Sequence, residues 1–184
     1  MPSNPSPSDA SNMAVRFLLR KAGAVHLDSM YDHTSSWGKE AWEDIVSNVF
    51  SGRCAYCGRV GQQLQVEHLH MINRTQLGIH HPGNTVPSCK GCNKRTRLAG
   101  NQFADWEKHL ESICAERNET DKFEERRIRI ANHMQEGDYK LPWTSDSAQN
   151  AVRMITDELY NDISEECRKA LRRYERLLRT FVDN

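Results

Sequence analysis

Apolar side chains recur at spacings of three and four residues in several stretches of this chain, most regularly near its end. Over residues 147–181 this spacing forms one continuous stripe, which predicts a single long amphipathic helix. The same criterion predicts shorter helices over residues 13–24, 38–50, 101–117 and 120–136. The stripe of the long helix consists of Val152, Ile155, Leu159, Ile163, Cys167, Leu171, Tyr174, Leu178 and Phe181.

The pattern changes over residues 51–100, where short extended segments replace helical periodicity. Residues 64–66 and 85–87 are predicted to be strands, with a turn at Pro82–Asn84 between them. A helix is predicted to open near Cys92, and its N-terminal amides would favour a phosphate. This part of the chain is therefore expected to be a small strand-and-helix core.

The order of these elements predicts an α+β protein in which a small core is embedded in helical flanks. Residues 1–12 are rich in Pro and Ser and carry no apolar anchor, so a disordered tail is expected there. N-terminal helices are expected over residues 13–50, the core over 51–100, and a helical region ending in the long helix over 101–184.

Four of the six cysteines form two Cys-x-x-Cys pairs, which is the spacing of a zinc site. Cys54 and Cys57 form the first pair, and Cys89 and Cys92 form the second. Two unrelated pairs, one of them a redox motif, are the alternative, but the βαβ pattern that accompanies thioredoxin-like motifs is not visible. The sequence therefore predicts a structural Zn²⁺ bound by four thiolates.

Charge is balanced overall and concentrated locally. The chain has 25 Lys and Arg against 25 Asp and Glu, whereas a free-standing non-specific nucleic-acid binder is usually basic. Cationic residues gather around the second cysteine pair, which marks them as candidates for binding a nucleic-acid backbone. These candidates are Lys90, Lys94, Arg95 and Arg97.

The residues between and around the cysteine pairs follow a recognisable order. Glu67-His68 ends the first predicted strand, Asn84 lies in the returning turn, and Asn93 directly follows the last cysteine. With the two cysteine pairs, this order resembles the HNH, or ββα-metal (His-Me finger), endonucleases in their zinc-clasped version. The resemblance covers Arg53 to about Arg97, roughly a quarter of the chain.

The resemblance implies a role for each matching residue. His68 would be the general base that takes a proton from the attacking water, for which imidazole is suited by its near-neutral pKa. Glu67 and Asn93 would hold a single catalytic Mg²⁺ or Mn²⁺, since such cations prefer oxygen ligands. Asn84 would brace the loop and the histidine by hydrogen bonds without binding metal.

The chain departs from the family pattern at three positions and adds three histidines nearby. Glu67 stands in place of the commoner Asp, Met71 in place of a proline, and Thr96 in place of a lysine. None of these changes removes a required chemical group. His70, His80 and His81 lie close in sequence and are not assigned as ligands; His70 is expected to bond to backbone or water.

The function expected from these features is metal-dependent hydrolysis of DNA phosphodiester bonds, in a restriction or anti-phage role by analogy. A zinc-stabilised nucleic-acid-binding or assembly module without catalysis is the alternative, and a ribonuclease is a third. The long terminal helix is expected to pack within the chain, form a homodimer or bind a protein partner. Without a visible signal peptide or membrane-spanning stretch, a cytoplasmic location with reduced thiols and no membrane contact is expected.

Overall fold

A computed structural model describes residues 6–29, 31–32, 35–60 and 63–182 of the chain. These residues form a mixed α+β fold with five α-helices and one two-stranded sheet. The helices are α1 (Pro7–His26), α2 (Ser36–Asp44), α3 (Trp106–Glu116), α4 (Phe123–Glu136) and α5 (Asp146–Val182), and the strands are β1 (Gln65–His68) and β2 (Thr85–Ser88). Within the described residues, no helix is both long enough and apolar enough to cross a membrane.

Helix α1 begins earlier than the sequence predicted. The expected disordered tail over residues 1–12 is wrong from Pro7 onward, and residues 1–5 lie outside the described part of the chain. The Ser6 backbone N–H donates to the Asp9 carboxylate at 2.7 Å, and Pro7 has the fixed φ that suits a first helical residue. Ser11 is fully buried, so this first part of α1 belongs to the folded structure.

Helix α2 is followed directly by a π-helical turn, Ile45–Val49. Ser35 caps α2 by accepting a hydrogen bond from the Gly38 backbone N–H at 3.0 Å. Ile45 and Phe50 are buried against the cysteine-containing core, as the apolar face predicted over residues 38–50 requires.

Strands β1 and β2 form an antiparallel pair, which confirms the two predicted extended segments. Gln65 lies opposite Ser88, and His68 lies opposite Thr85. The strands are connected by a loop of residues 69–84 that returns through the Pro82–Asn84 turn, a short 3₁₀ helix. His68 therefore lies at the point where the chain leaves the sheet and enters this loop.

The helix predicted from Cys92 is absent, so the expected helix N-terminus beside the second cysteine pair is wrong. Residues 92–104 contain turns, a bridge between Arg97 and Phe103 and a short 3₁₀ helix (Ala99–Asn101) with Gly100 at φ +73°, and α3 begins only at Trp106. His109 of α3 holds this segment in place of helical backbone bonds. Its Nε2–H donates to the Cys92 carbonyl oxygen at 2.9 Å, and its Nδ1 accepts from the Thr96 backbone N–H at 3.1 Å.

Two hydrophobic clusters support the fold. The first surrounds the cysteines and joins β1 and β2 to α3 and α4, with Tyr56, Leu69, Val86, Leu110 and Ile130 almost completely buried. The second lies between α1, the 69–84 loop and the start of α5. It is built on Val15, Leu19, Ile72, Leu77, Ile79 and Trp143.

Helix α5 confirms the predicted long helix, but only its first half packs within the chain. Thr156 and Ser164 are buried and Val152 packs against the second cluster, whereas Ile155 is 54% exposed, so the packed face coincides with the predicted stripe only in part. Arg74 anchors α5 by pairing with Asp157 at 2.8 Å. The distal part of the stripe is exposed at Leu171, Tyr174, Leu178 and Phe181, and the neighbouring Leu177 is exposed as well.

Candidate functional site

The four cysteines of the two pairs come together in one cluster. Their sulfur atoms all lie within 4.8 Å of one another. The Sγ atoms of Cys57 and Cys89 are 3.8 Å apart, far beyond a disulfide bond. Tetrahedral Zn²⁺ with Zn–S distances of about 2.3 Å places its sulfurs about 3.8 Å apart. The cluster therefore has the donor set and the spacing to hold a metal ion such as zinc.

The sulfurs interact strongly with one another and with a nearby cation. The pKa of the Cys54 thiol is lowered because Cys57 and Cys92 donate hydrogen bonds to its sulfur. The Arg117 guanidinium lies 3.9 Å from the Cys92 sulfur, where it would offset part of the negative charge of four metal-bound thiolates. Cys114 and Cys167 are outside the cluster, in agreement with the prediction that only four cysteines take part.

Asn84 holds the loop between the two strands in shape. Its side-chain oxygen accepts from the His70 backbone N–H at 2.7 Å. Its amide group donates to the carbonyl oxygens of His70 at 2.9 Å and Ile79 at 2.8 Å. Because Asn84 is completely buried and all three bonds span the loop, it positions the chain directly after His68. These three bonds brace the loop, which is the role that the resemblance implied for Asn84.

His68 opens onto a cleft of about 440 Å³ between the hairpin and helices α1 and α2. Its Nε2 atom lies 2.8 Å from Nδ1 of His80, so the two imidazoles share a hydrogen bond. The ring of His80 in turn lies against Tyr31, with 4.7 Å between ring centroids, and its Nε2 is 3.4 Å from the Arg20 guanidinium. His80 therefore links the proposed general base to helix α1.

The surroundings of His68 favour its neutral form. Although one edge of the ring reaches the cleft, the pKa of His68 is well below its usual value, first because of burial and then because of His80, Arg20 and Arg16. A guanidinium can only donate, so its contact makes Nε2 of His80 an acceptor and leaves the hydrogen on Nδ1 to bond His68. In the opposite tautomers, Nε2 of His68 donates to Nδ1 of His80, and the lone pair on Nδ1 of His68 can accept a proton.

Glu67 does not stand free beside His68. Its Oε1 atom accepts from Arg95 at 2.6 Å, and Arg95 also donates to the carbonyl oxygen of His68 at 2.6 Å. The pKa of Glu67 is raised by burial, an effect that the charge of Arg95 opposes. The sequence placed Arg95 among the nucleic-acid-binding residues, and this is wrong because its side chain is only 2% exposed and is used inside the core.

Asn93 reaches the same cleft as Glu67 and His68. Its amide nitrogen donates to Gln65 Oε1 at 2.8 Å, which leaves its own side-chain oxygen as an acceptor. A hard cation would find one oxygen donor from Glu67 and one from Asn93, with the first carboxylate oxygen already engaged by Arg95. The donor types fit Mg²⁺ or Mn²⁺, while the negative charge is partly neutralised.

The other proposed nucleic-acid residues, Lys90, Lys94 and Arg97, are exposed on the segment around the second cysteine pair. The Arg97 guanidinium stacks over Phe103 at 4.8 Å. These three residues do not line the cleft that contains His68, although Asn93 beside them does. His81 is buried and caps the Pro82–Asn84 turn by accepting from the Gly83 N–H at 3.1 Å.

Sequence reasoning missed Arg16, Arg20 and the role of His80. All three line the cleft, yet the two arginines lie about fifty residues before His68 in the chain. Their one signal was the i, i+4 spacing beside the apolar face of α1, which is also typical of an ordinary solvated helix. Gly23 allows their approach, because a Cβ atom there would lie 2.8 Å from the His80 carbonyl oxygen.

Comparisons with protein-family models, curated proteins and solved structures found no match to this chain.

Proposed function

We propose that the protein is a metal-dependent endonuclease that hydrolyses phosphodiester bonds in DNA, built on a zinc-stabilised ββα-metal core of the HNH type. The observation that carries the proposal is the position of His68, a neutral imidazole at the end of β1 that faces a cleft shared with Glu67, Asn93 and two arginines. A histidine in its neutral form can accept a proton from water. The cysteine cluster holds the strand that presents it.

Each residue of the cleft has a separate part in this proposal. In the tautomers in which His68 donates from Nε2 to Nδ1 of His80, at 2.8 Å, the Nδ1 atom of His68 removes a proton from the attacking water. Asn84 fixes the loop that follows His68. Glu67 and Asn93 would hold Mg²⁺ or Mn²⁺, which would supply stabilisation of charge at the phosphate and leaving oxygen. Lys90, Lys94 and Arg97 extend positive charge beyond the cleft, in the direction of the second cysteine pair.

Cleavage of a supercoiled plasmid tests this function directly. Zinc-loaded wild-type protein, His68→Ala and Asn93→Ala are compared in Mg²⁺, Mn²⁺ and EDTA, with His26→Ala as a control because His26 is exposed on α1 and does not line the cleft. We expect wild type and His26→Ala to nick or cut the plasmid, His68→Ala to lose at least about 100-fold in rate, and Asn93→Ala to lose activity at full zinc content. An absence of cleavage by the zinc-loaded wild type in every metal would contradict the nuclease.

A binding or assembly module without catalysis is the second candidate, and one specific observation favours it. Both proposed ligands of the catalytic metal are engaged by other side chains, Glu67 by Arg95 and Asn93 by Gln65. Binding of DNA without nicking, in every metal, is the outcome that this candidate predicts. Digestion of RNA and DNA side by side distinguishes a ribonuclease from the DNA endonuclease and from the module without catalysis.

The exposed end of α5 supports a further part of the proposal, association with a second copy or a protein partner. Five large apolar side chains between Leu171 and Phe181 remain at least 43% exposed. Apolar stripes of this length on a helix are commonly covered by another helix. A restriction or anti-phage role and a cytoplasmic location remain expectations from the sequence alone.

A further inference from the structure

Helix α1 forms one wall of the cleft that contains His68. Arg16 and Arg20 are four residues apart and therefore lie on the same side of the helix. The adjacent positions Val15 and Leu19 are buried in the second hydrophobic cluster, so α1 is fixed and the arginines are directed along the cleft rim. Both arginines line the cleft with His68 and His80.

No carboxylate in the described part of the chain pairs with these two arginines. Across the described residues, neither Arg16 nor Arg20 has a carboxylate within 4.0 Å, whereas Arg74, Arg95 and Arg126 each pair with one at 2.6–2.8 Å. Two acidic residues line the cleft: Glu67 is paired with Arg95, and Asp32 accepts a hydrogen bond from the Ser35 backbone N–H at 3.2 Å. The rim of the cleft on the α1 side therefore attracts an anion.

We propose that Arg16 and Arg20 bind the nucleic-acid backbone at the phosphate next to the scissile one. The guanidinium group has paired donors that match phosphate oxygens. Arg20 is separated from His68 by the width of one imidazole, through the His80 contacts of 3.4 Å and 2.8 Å. A phosphate at Arg20 is thus displaced from the one that a water on His68 would attack. This inference deepens the proposed nuclease function and rests on it.

Besides binding the phosphate, Arg20 influences the tautomers of His80 and His68, whereas Arg16 does not. A phosphate bound by Arg20 would lie beside Nε2 of His80, and a His80 that carries its hydrogen on Nε2 can donate to the same phosphate. Nδ1 of His80 then accepts from His68, which leaves the Nδ1 lone pair of His68 for the attacking water. Arg16 has no such contact with His80 among the described hydrogen bonds, so it acts through binding alone.

The test separates binding from cleavage by measuring both. A fluorescently labelled DNA duplex is titrated without added Mg²⁺ or Mn²⁺, at several salt concentrations, with zinc-loaded wild type, Arg16→Gln, Arg20→Gln and the double variant. Lys21→Gln is the matched control, because Lys21 lies on α1 next to Arg20 but outside the cleft. Melting temperature and zinc content confirm that each variant is folded.

Each arginine variant is expected to bind about tenfold more weakly at 0.1 M salt and to lower the salt slope by about 0.9, while Lys21→Gln leaves both unchanged. In cleavage, Arg16→Gln raises KM alone, whereas Arg20→Gln also lowers kcat. Arg16→Lys and Arg20→Lys keep the charge and recover most of the salt slope. If the double variant keeps the wild-type affinity and salt slope, phosphate binding by Arg16 and Arg20 is overturned, whether or not the protein cleaves DNA.

If binding is weakened in a protein that never cleaves, phosphate binding by the two arginines is supported and only the nuclease function is contradicted.

Discussion

Arg95 and Glu67 form an ion pair inside the core, with 2.6 Å between Nη2 and Oε1. Their side chains are 2% and 13% exposed. The same guanidinium group donates to the backbone carbonyl oxygen of His68 at 2.6 Å. The pair therefore ties the segment after the second cysteine pair to the end of β1, where the proposed general base lies.

Removal of Arg95 should be strongly destabilising. Arg95→Met leaves the Glu67 carboxylate buried without its partner, which is expected to cost about 3–5 kcal/mol in the free energy of unfolding. Lys94→Met is the control, because Lys94 is exposed and its loss should change stability by less than about 0.5 kcal/mol. Urea unfolding followed by circular dichroism measures both. Equal stability of the two variants would show that the ion pair is not part of the core.

The cysteine cluster is expected to carry a large part of the folding free energy. Cys89→Ser removes one of four ligands, so we expect loss of bound zinc and a loss of stability above about 4 kcal/mol. Cys167→Ser is the matched control, because Cys167 is a thiol outside the cluster. Metal content by mass spectrometry and thermal melts with and without a chelator measure the effect. An unchanged cooperative melt of Cys89→Ser would argue against a structural metal.

Acid should destabilise the protein through its buried histidines. The pKa of His81 is lowered to about 4, first by burial and then by His26, and burial also lowers the pKa values of His109 and His133. Between about pH 6.5 and pH 4 the unfolded chain therefore binds more protons, so the free energy of unfolding falls as pH falls. Above about pH 6.5 these groups contribute no pH dependence.

His81→Asn isolates one part of this effect. An Asn side-chain oxygen can accept the Gly83 N–H that His81 now accepts at 3.1 Å, but it does not titrate. We expect stability near that of the wild type at pH 7 and a smaller loss toward pH 4. Urea midpoints of both proteins across this range, in saturating zinc, provide the comparison. Identical pH profiles of the urea midpoint would show that His81 does not contribute to the loss of stability in acid.

Loss of an apolar side chain should be costly where α1 packs on the start of α5 and nearly neutral at the exposed end of α5. Leu19 of α1 is fully buried in the second cluster against the start of α5, so Leu19→Ala should cost about 2–5 kcal/mol. Leu178 is 43% exposed, and Leu178→Ala should cost less than about 0.5 kcal/mol in dilute solution. Unfolding at low and high protein concentration tests both variants. A cost for Leu178→Ala that grows with concentration would indicate pairing between copies, whereas a large cost at every concentration would contradict the exposed position.

Local patterns in the sequence were sufficient for the elements whose determinants lie close together in the chain. Each Cys-x-x-Cys pair is a local motif, and the structure brings both pairs into one cluster. The helix positions of α2, α4 and α5 follow from apolar spacing, and the two strands follow from short extended segments around the Pro82–Asn84 turn. The start of α1 was missed because the Pro-rich composition outweighed the cap formed by Ser6 and Asp9.

Long-range contacts decided the rest, since they depend on groups far apart in the sequence. Arg95 looked like part of an exposed basic cluster until the position of Glu67 showed that it is buried. The helix predicted from Cys92 does not form, because His109 of α3 hydrogen-bonds the Cys92 carbonyl oxygen and the Thr96 backbone N–H instead. Arg16 and Arg20 became cleft residues only because Gly23 lets α1 approach the His80 backbone. The sequence by itself determined the cysteine cluster and most elements, whereas tertiary packing determined which charged side chains are buried in the core and which face the cleft.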